Sequence, residues 1–121
     1  MSRTVLIAED KEHSERVFRE WLNSRGYLTL SARDGREALD LVRRHRPGLI
    51  VMDADLPIMS GLEVARTMKQ NKSLRSIPII GITTYGTRSE VEQMQEVGCD
   101  AYVTRPLSAT KFMDAVRRFL G

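Results

Sequence analysis

Short apolar runs alternate along this chain with longer stretches whose apolar residues recur every three or four positions. The runs Val5–Ala8, Leu49–Met52 and Ile77–Ile82 are nearly unbroken, which predicts strands buried on both faces. Tyr27–Ser31 is shorter and more polar and predicts an edge strand, and Asp100–Val103 predicts a fifth strand. The stretch 12–25 predicts a helix, with Val17, Phe18, Trp21 and Leu22 on its inner face and Gly26 as its terminating glycine. The stretch 34–46 predicts a second, with Ala38, Leu39 and Val42 inward and Pro47 as its stop. Further helices are predicted over 61–70, 89–97 and 108–120, with a loop over 71–76.

Five strands alternating with five helices imply an α/β fold in which a five-stranded parallel sheet carries helices on both faces. In such sheets ligands bind outside the carboxyl ends of the strands. The residues that follow the apolar runs are Glu9 and Asp10, Asp53, Thr83 and Thr84, and Arg105. All are therefore expected along one edge of the sheet.

A buried strand that ends on a carboxylate does not do so for packing. Any one of these acids alone could cap the helix that follows it. Glu9, Asp10 and Asp53 gathered at one mouth would repel one another and require positive charge between them. A hard divalent cation such as Mg²⁺ suits oxygen ligands of this kind. An aspartate beside it can attack phosphorus and become an aspartyl phosphate, a reaction that needs positioning and charge neutralisation more than a general base. Glu9 and Asp10 would hold the metal, Asp53 would ligate it and attack, and Thr83 and Arg105 would meet the phosphoryl oxygens.

Composition narrows the alternatives. The chain has 121 residues, 41% of them hydrophobic, enough for one domain with its own core. No apolar run is long enough to cross a bilayer and no secretory leader is evident, so the cytoplasm is the expected compartment, without membrane insertion. The single cysteine, Cys99, has no partner for an internal disulfide and is expected to pack in the core. The net charge of +3 raises the question of nucleic acid, but the basic residues are scattered. The one dense group, Arg43-Arg44-His45-Arg46, falls at a helix end, where cations complement the macrodipole; no nucleic-acid partner is expected. A flavodoxin-type phosphate cradle is also excluded, because the first strand–helix loop, Glu9-Asp10-Lys11-Glu12, is acidic and lacks glycine.

Four stretches carry a resemblance to a known family: residues 5–10 (VLIAED), 52–61 (MDADLPIMSG), 77–83 (IPIIGIT) and 98–106 (GCDAYVTRP). Together they resemble the receiver domains of two-component response regulators, over essentially all of residues 1–121 and with no effector domain following. The resemblance implies the flavodoxin-like strand order 2-1-3-4-5, for which a chemotaxis receiver is one of the standard examples. It implies Asp53 as phosphoacceptor, Asp10 as a direct Mg²⁺ ligand, Glu9 as a ligand through water, and the backbone carbonyl of Asp55 as a further ligand. It implies Thr83 as the hydroxyl that moves to the phosphoryl group, Tyr102 as the aromatic whose inward or outward position follows that motion, and a cis bond before Pro106.

The same resemblance implies a histidine kinase or histidine phosphotransferase as donor, docked on the first helix and the loop near Pro106, with His13, Ser14, Val17 and Leu107 in contact. The output would be a protein target bound through the 86–120 face, such as a cell-cycle kinase or a flagellar motor component. The residues Leu62-Glu63-Val64 and Gly98-Cys99 lean toward the cell-cycle and phosphorelay type. The resemblance further implies a domain that assists its own phosphorylation and dephosphorylation but is not otherwise an enzyme. The chain departs from the family where Arg105 stands in place of lysine, and where Thr84, replacing a smaller residue, narrows access to Asp53. An ion pair between Arg105 and Asp55 is expected in the unphosphorylated state. A phosphorylation-independent interaction module with Arg105 as its signature is the competing reading.

Overall fold

The computed structural model describes residues 2–121. Ten elements alternate without exception: β1 (Thr4–Ala8), α1 (Glu12–Asn23), β2 (Leu28–Ala32), α2 (Gly35–His45), β3 (Leu49–Asp53), α3 (Gly61–Lys69), β4 (Ile79–Thr83), α4 (Arg88–Glu96), β5 (Ala101–Thr104) and α5 (Ala109–Leu120). All strand pairs are parallel and the order is β2-β1-β3-β4-β5, as the resemblance implied.

Because strand side chains alternate between faces, the unbroken apolar runs feed two separate cores. Leu6, Ala8, Ile50, Met52 and Ile79 join Ala38, Val42, Val64 and Met68 of α2 and α3 on one face. Val5, Ile7, Leu49, Val51, Ile80 and Ile82 join Phe18, Leu22, Phe112 and Val116 of α1 and α5 on the other. An aromatic seam closes that second face. Phe18 and Phe112 have ring centroids 4.9 Å apart, and Trp21 lies 5.6 Å from Phe112.

Most predicted boundaries move by a residue or two, and three of the shifts have a clear local reason. β2 begins at Leu28, one residue late, because Tyr27 turns into the core with its hydroxyl donating to the Gly121 carbonyl at 3.4 Å. β4 begins at Ile79, because the Ile77 N–H bonds back to Leu74 in a turn and Pro78 has no N–H to offer a neighbour. α1 stops at Asn23, three residues before Gly26, whose φ of +84° turns the chain back. Cys99 packs against the α2–α3 core, half-buried, and burial pushes its thiol up to about 11. The basic cluster at the end of α2 is exposed, and Arg46 donates to the Ser73 carbonyl at 2.7 Å.

The strand registers bring the site together. Ala8 sits opposite Met52, Asp53 opposite Ile82, and Thr83 opposite Thr104. The carboxyl ends of β1, β3, β4 and β5 are therefore level.

Candidate functional site

Asp53 is the last residue of β3 and only 3% exposed. The chain is brought close behind it by Gly61, the first residue of α3. A Cβ there would lie 2.1 Å from the Asp53 carbonyl oxygen, so only glycine allows α3 to start at this point. The Ser60 hydroxyl accepts from the Glu63 N–H at 3.2 Å and caps the same helix. The Asp53 side chain is anchored through one oxygen, Oδ1, which accepts from the Asp55 N–H at 2.9 Å. Its other oxygen, Oδ2, faces two cations: Arg105 Nη2 at 3.2 Å and Lys11 Nζ at 3.5 Å.

Glu9, Asp10 and Asp53 each offer a carboxylate oxygen, and these atoms lie within 4.8 Å of one another. Glu9 is almost fully buried at 1% exposure. Burial first, and then the adjoining Asp53 carboxylate, push its carboxyl up to about 7 against the opposing effect of Arg105. For Asp53 burial also opposes ionisation. Hydrogen bonds from Glu9 and the Asp55 N–H, with the charges of Lys11 and Arg105, outweigh it and hold the carboxyl below its usual range. Asp53 is thus the ionised member of the pair. Asp10 Oδ1 is buried and accepts no hydrogen bond, an oxygen left without the partner that buried polar atoms ordinarily have. A cluster of hard oxygen donors with one lone pair unclaimed fits a small divalent cation.

Arg105 follows β5 and precedes Pro106 across a cis peptide bond, as expected. Its guanidinium joins three groups: Nη2 donates to Glu9 Oε1 at 2.5 Å and to Asp53 Oδ2, and Nη1 donates to Ser14 Oγ at 2.9 Å. The expected pair with Asp55 does not form. Asp55 is exposed and its carboxylate enters no ion pair among the described residues, whereas Glu9 and Asp53 are buried and draw the fork inward.

Thr83 is buried, and its hydroxyl shares a 2.9 Å hydrogen bond with Thr104. Thr84 is half-buried, and its N–H donates to Glu90 at 3.2 Å. Tyr102 lies outward, 45% exposed. His13, Ser14, Val17 and Leu107 line one groove together with Trp21, Arg105 and Pro106. His13 is exposed there, while Ser14 is buried, drawn in by Arg105.

Sequence reasoning missed three participants. Thr104 precedes Arg105, and the register of β4 with β5 is what sets it against Thr83. Glu90 reads as an ordinary helix acid until its position three residues after Thr87 is noticed, the spacing of a capping box. Lys11 stands among four acids, and its position at the start of α1 was the available signal.

Residues 5–117 match the family model for the response regulator receiver domain. Curated relatives are polar-differentiation response regulators from Brucella anthropi and Brucella ovis, 41% and 40% identical over all of this chain and 98% of theirs. Among solved structures, a signal receiver domain of a histidine kinase from Syntrophus aciditrophicus superposes with a TM-score of 0.90 at 32% identity, covering 97% of this chain and 89% of its own. The receiver domain of a sensor histidine kinase from Pseudomonas aeruginosa superposes at 0.91 with 26% identity, covering all of this chain and 99% of its own. That structure has a magnesium ion coordinated in its active-site cleft. The fold, the acid-lined edge and the length of the match agree: this chain belongs to the response regulator receiver domain family.

Proposed function

We propose that Asp53 accepts a phosphoryl group, with Mg²⁺, from a phosphohistidine on a histidine kinase or histidine phosphotransferase, and that the phosphorylated protein signals by binding a protein target. The observation that carries this reading is the state of Asp53: buried, ionised, anchored through Oδ1, and with Oδ2 turned to the mouth between two cations. In the transfer, Oδ2 forms a bond to phosphorus as the bond from phosphorus to the imidazole nitrogen breaks. The freed histidine keeps that electron pair and can take a proton from solvent. Glu9, Asp10, Asp53 and the backbone carbonyl of Asp55 are the groups that would hold Mg²⁺, with Glu9 acting through water. When bound, the ion neutralises charge on the phosphoryl oxygens.

Arg105 already lies against Asp53, so the planar fork is positioned to exchange a carboxylate oxygen for a phosphoryl oxygen. This contact favours phosphoacceptance over an interaction module in which Arg105 has turned from the site. Thr83 leaves Thr104 for the phosphoryl group, and Tyr102, now outward, follows by moving inward. The groove at His13, Ser14, Val17 and Leu107 receives the donor. The 86–120 face, on which Tyr102 is exposed, receives the target. The similarity to polar-differentiation response regulators of Brucella favours a cell-cycle phosphorelay, with the cytoplasm as the compartment.

Fluorine NMR with beryllofluoride, a phosphoryl mimic, tests the reading. Bound fluoride signals are expected with Mg²⁺ and should vanish without it or in Asp53→Asn. Their absence from the wild-type protein with Mg²⁺ would overturn it.

A further inference from the structure

Lysine is a poor choice at the position Lys11 holds. It is the N-cap of α1, where Ser, Thr, Asp and Asn serve best, and its side chain makes no capping hydrogen bond. A cation is also unfavourable at the positive end of the helix dipole. A residue that breaks a local rule needs a compensating role. The side chain shows one. Its ammonium bends back over the sheet edge and stands 3.5 Å from Asp53 Oδ2 and 3.8 Å from Asp10 Oδ1, the buried oxygen that no hydrogen bond satisfies.

From this placement we infer that Lys11 is a tethered competitor of the divalent cation: its ammonium bridges Asp10 and Asp53, the carboxylates that would ligate Mg²⁺, and metal binding must displace it. The inference rests on the Mg²⁺ reading of the site. The charge balance gives its direction. Arg105 covers Glu9 and Asp53 from one side, and Lys11 covers Asp10 and Asp53 from the other. Lys11 adds a second positive charge to the one Arg105 brings, so the mouth carries one negative charge fewer than it would with Arg105 alone. The lysine side chain is 58% exposed and free to swing into solvent, so it weakens metal binding without blocking it. Lys11 thereby sets the Mg²⁺ concentration at which the site fills.

Calorimetric titration of the unphosphorylated protein with MgCl₂ at low ionic strength tests this on wild type, Lys11→Met and Lys11→Arg. Removing a positive charge from beside a divalent ion should tighten Mg²⁺ binding roughly tenfold in Lys11→Met. Lys11→Arg keeps the charge and should stay close to wild type. Equal affinity in wild type and Lys11→Met would overturn the inference while leaving the metal reading intact. No Mg²⁺ heat in any of the three proteins would overturn the metal reading, and the inference with it.

Discussion

The guanidinium of Arg105 joins three groups through two nitrogens: two carboxylates through one and the Ser14 hydroxyl through the other. Its removal strands a buried acid. In Arg105→Met, Glu9, 1% exposed, loses the cation it is ion-paired with, and the metal-free protein should lose about 2 kcal/mol in urea denaturation. Part of that loss should return on adding Mg²⁺, because the ion binds only the folded form. An unchanged midpoint would mean that the pair contributes nothing. At this scale the sequence was legible as to which residues meet and silent as to how they pair. Glu9, Asp10, Asp53, Thr83 and Arg105 all end or follow strands, and the sheet alone assembles them. The partner of Arg105 depended on burial, which the sequence pattern does not grade finely enough to separate Glu9 from Asp55. The same limit hid Thr104, which becomes visible only when β4 and β5 are set in register.

Two elements hold the site from outside it. Gly61 lets α3 start against the backbone of Asp53, and Gly61→Ala would force a Cβ to 2.1 Å from that carbonyl oxygen. The strain should cost about 1–3 kcal/mol by denaturation and shift the NMR signals of residues 53–55. At the other side, Glu90 accepts from the N–H groups of Thr84, Tyr85 and Thr87 and ties the β4–α4 loop to the start of α4. The Thr87 N–H, followed by those of Tyr85 and Thr84, holds the Glu90 carboxyl below its usual value against desolvation. A lowered carboxyl stabilises the fold above its unfolded value, near 4.5, and loses that contribution as pH falls through the folded value. The melting temperature of wild type should therefore exceed that of Glu90→Ala at neutral pH, with the gap narrowing below about pH 4.5. A gap that does not depend on pH would assign the effect to helix propensity. Element order was fully legible from periodicity, and element ends were not. Tyr27 and Pro78 look like strand residues by composition, but a core contact and a missing N–H decide otherwise.

Across the whole molecule, one sheet serves two purposes. Its alternating side chains fill two cores, α2–α3 on one face and α1–α5 on the other, and this rigidity fixes the strand ends. The edge at the carboxyl ends then concentrates acids that packing could not use, opposed by Arg105 and Lys11. Signal transmission on this account is an exchange of partners at that edge. Arg105 gives up a carboxylate and Thr83 gives up Thr104, both in favour of one phosphoryl group on Asp53. The most direct measurement is intact-mass spectrometry of the protein incubated with acetyl phosphate and Mg²⁺, a small phosphodonor that needs no cognate kinase. The account predicts a single phosphoryl adduct that requires Mg²⁺, maps to Asp53 and is absent from Asp53→Asn. An adduct that persists in Asp53→Asn, or no adduct in the wild-type protein with Mg²⁺ present, would contradict it.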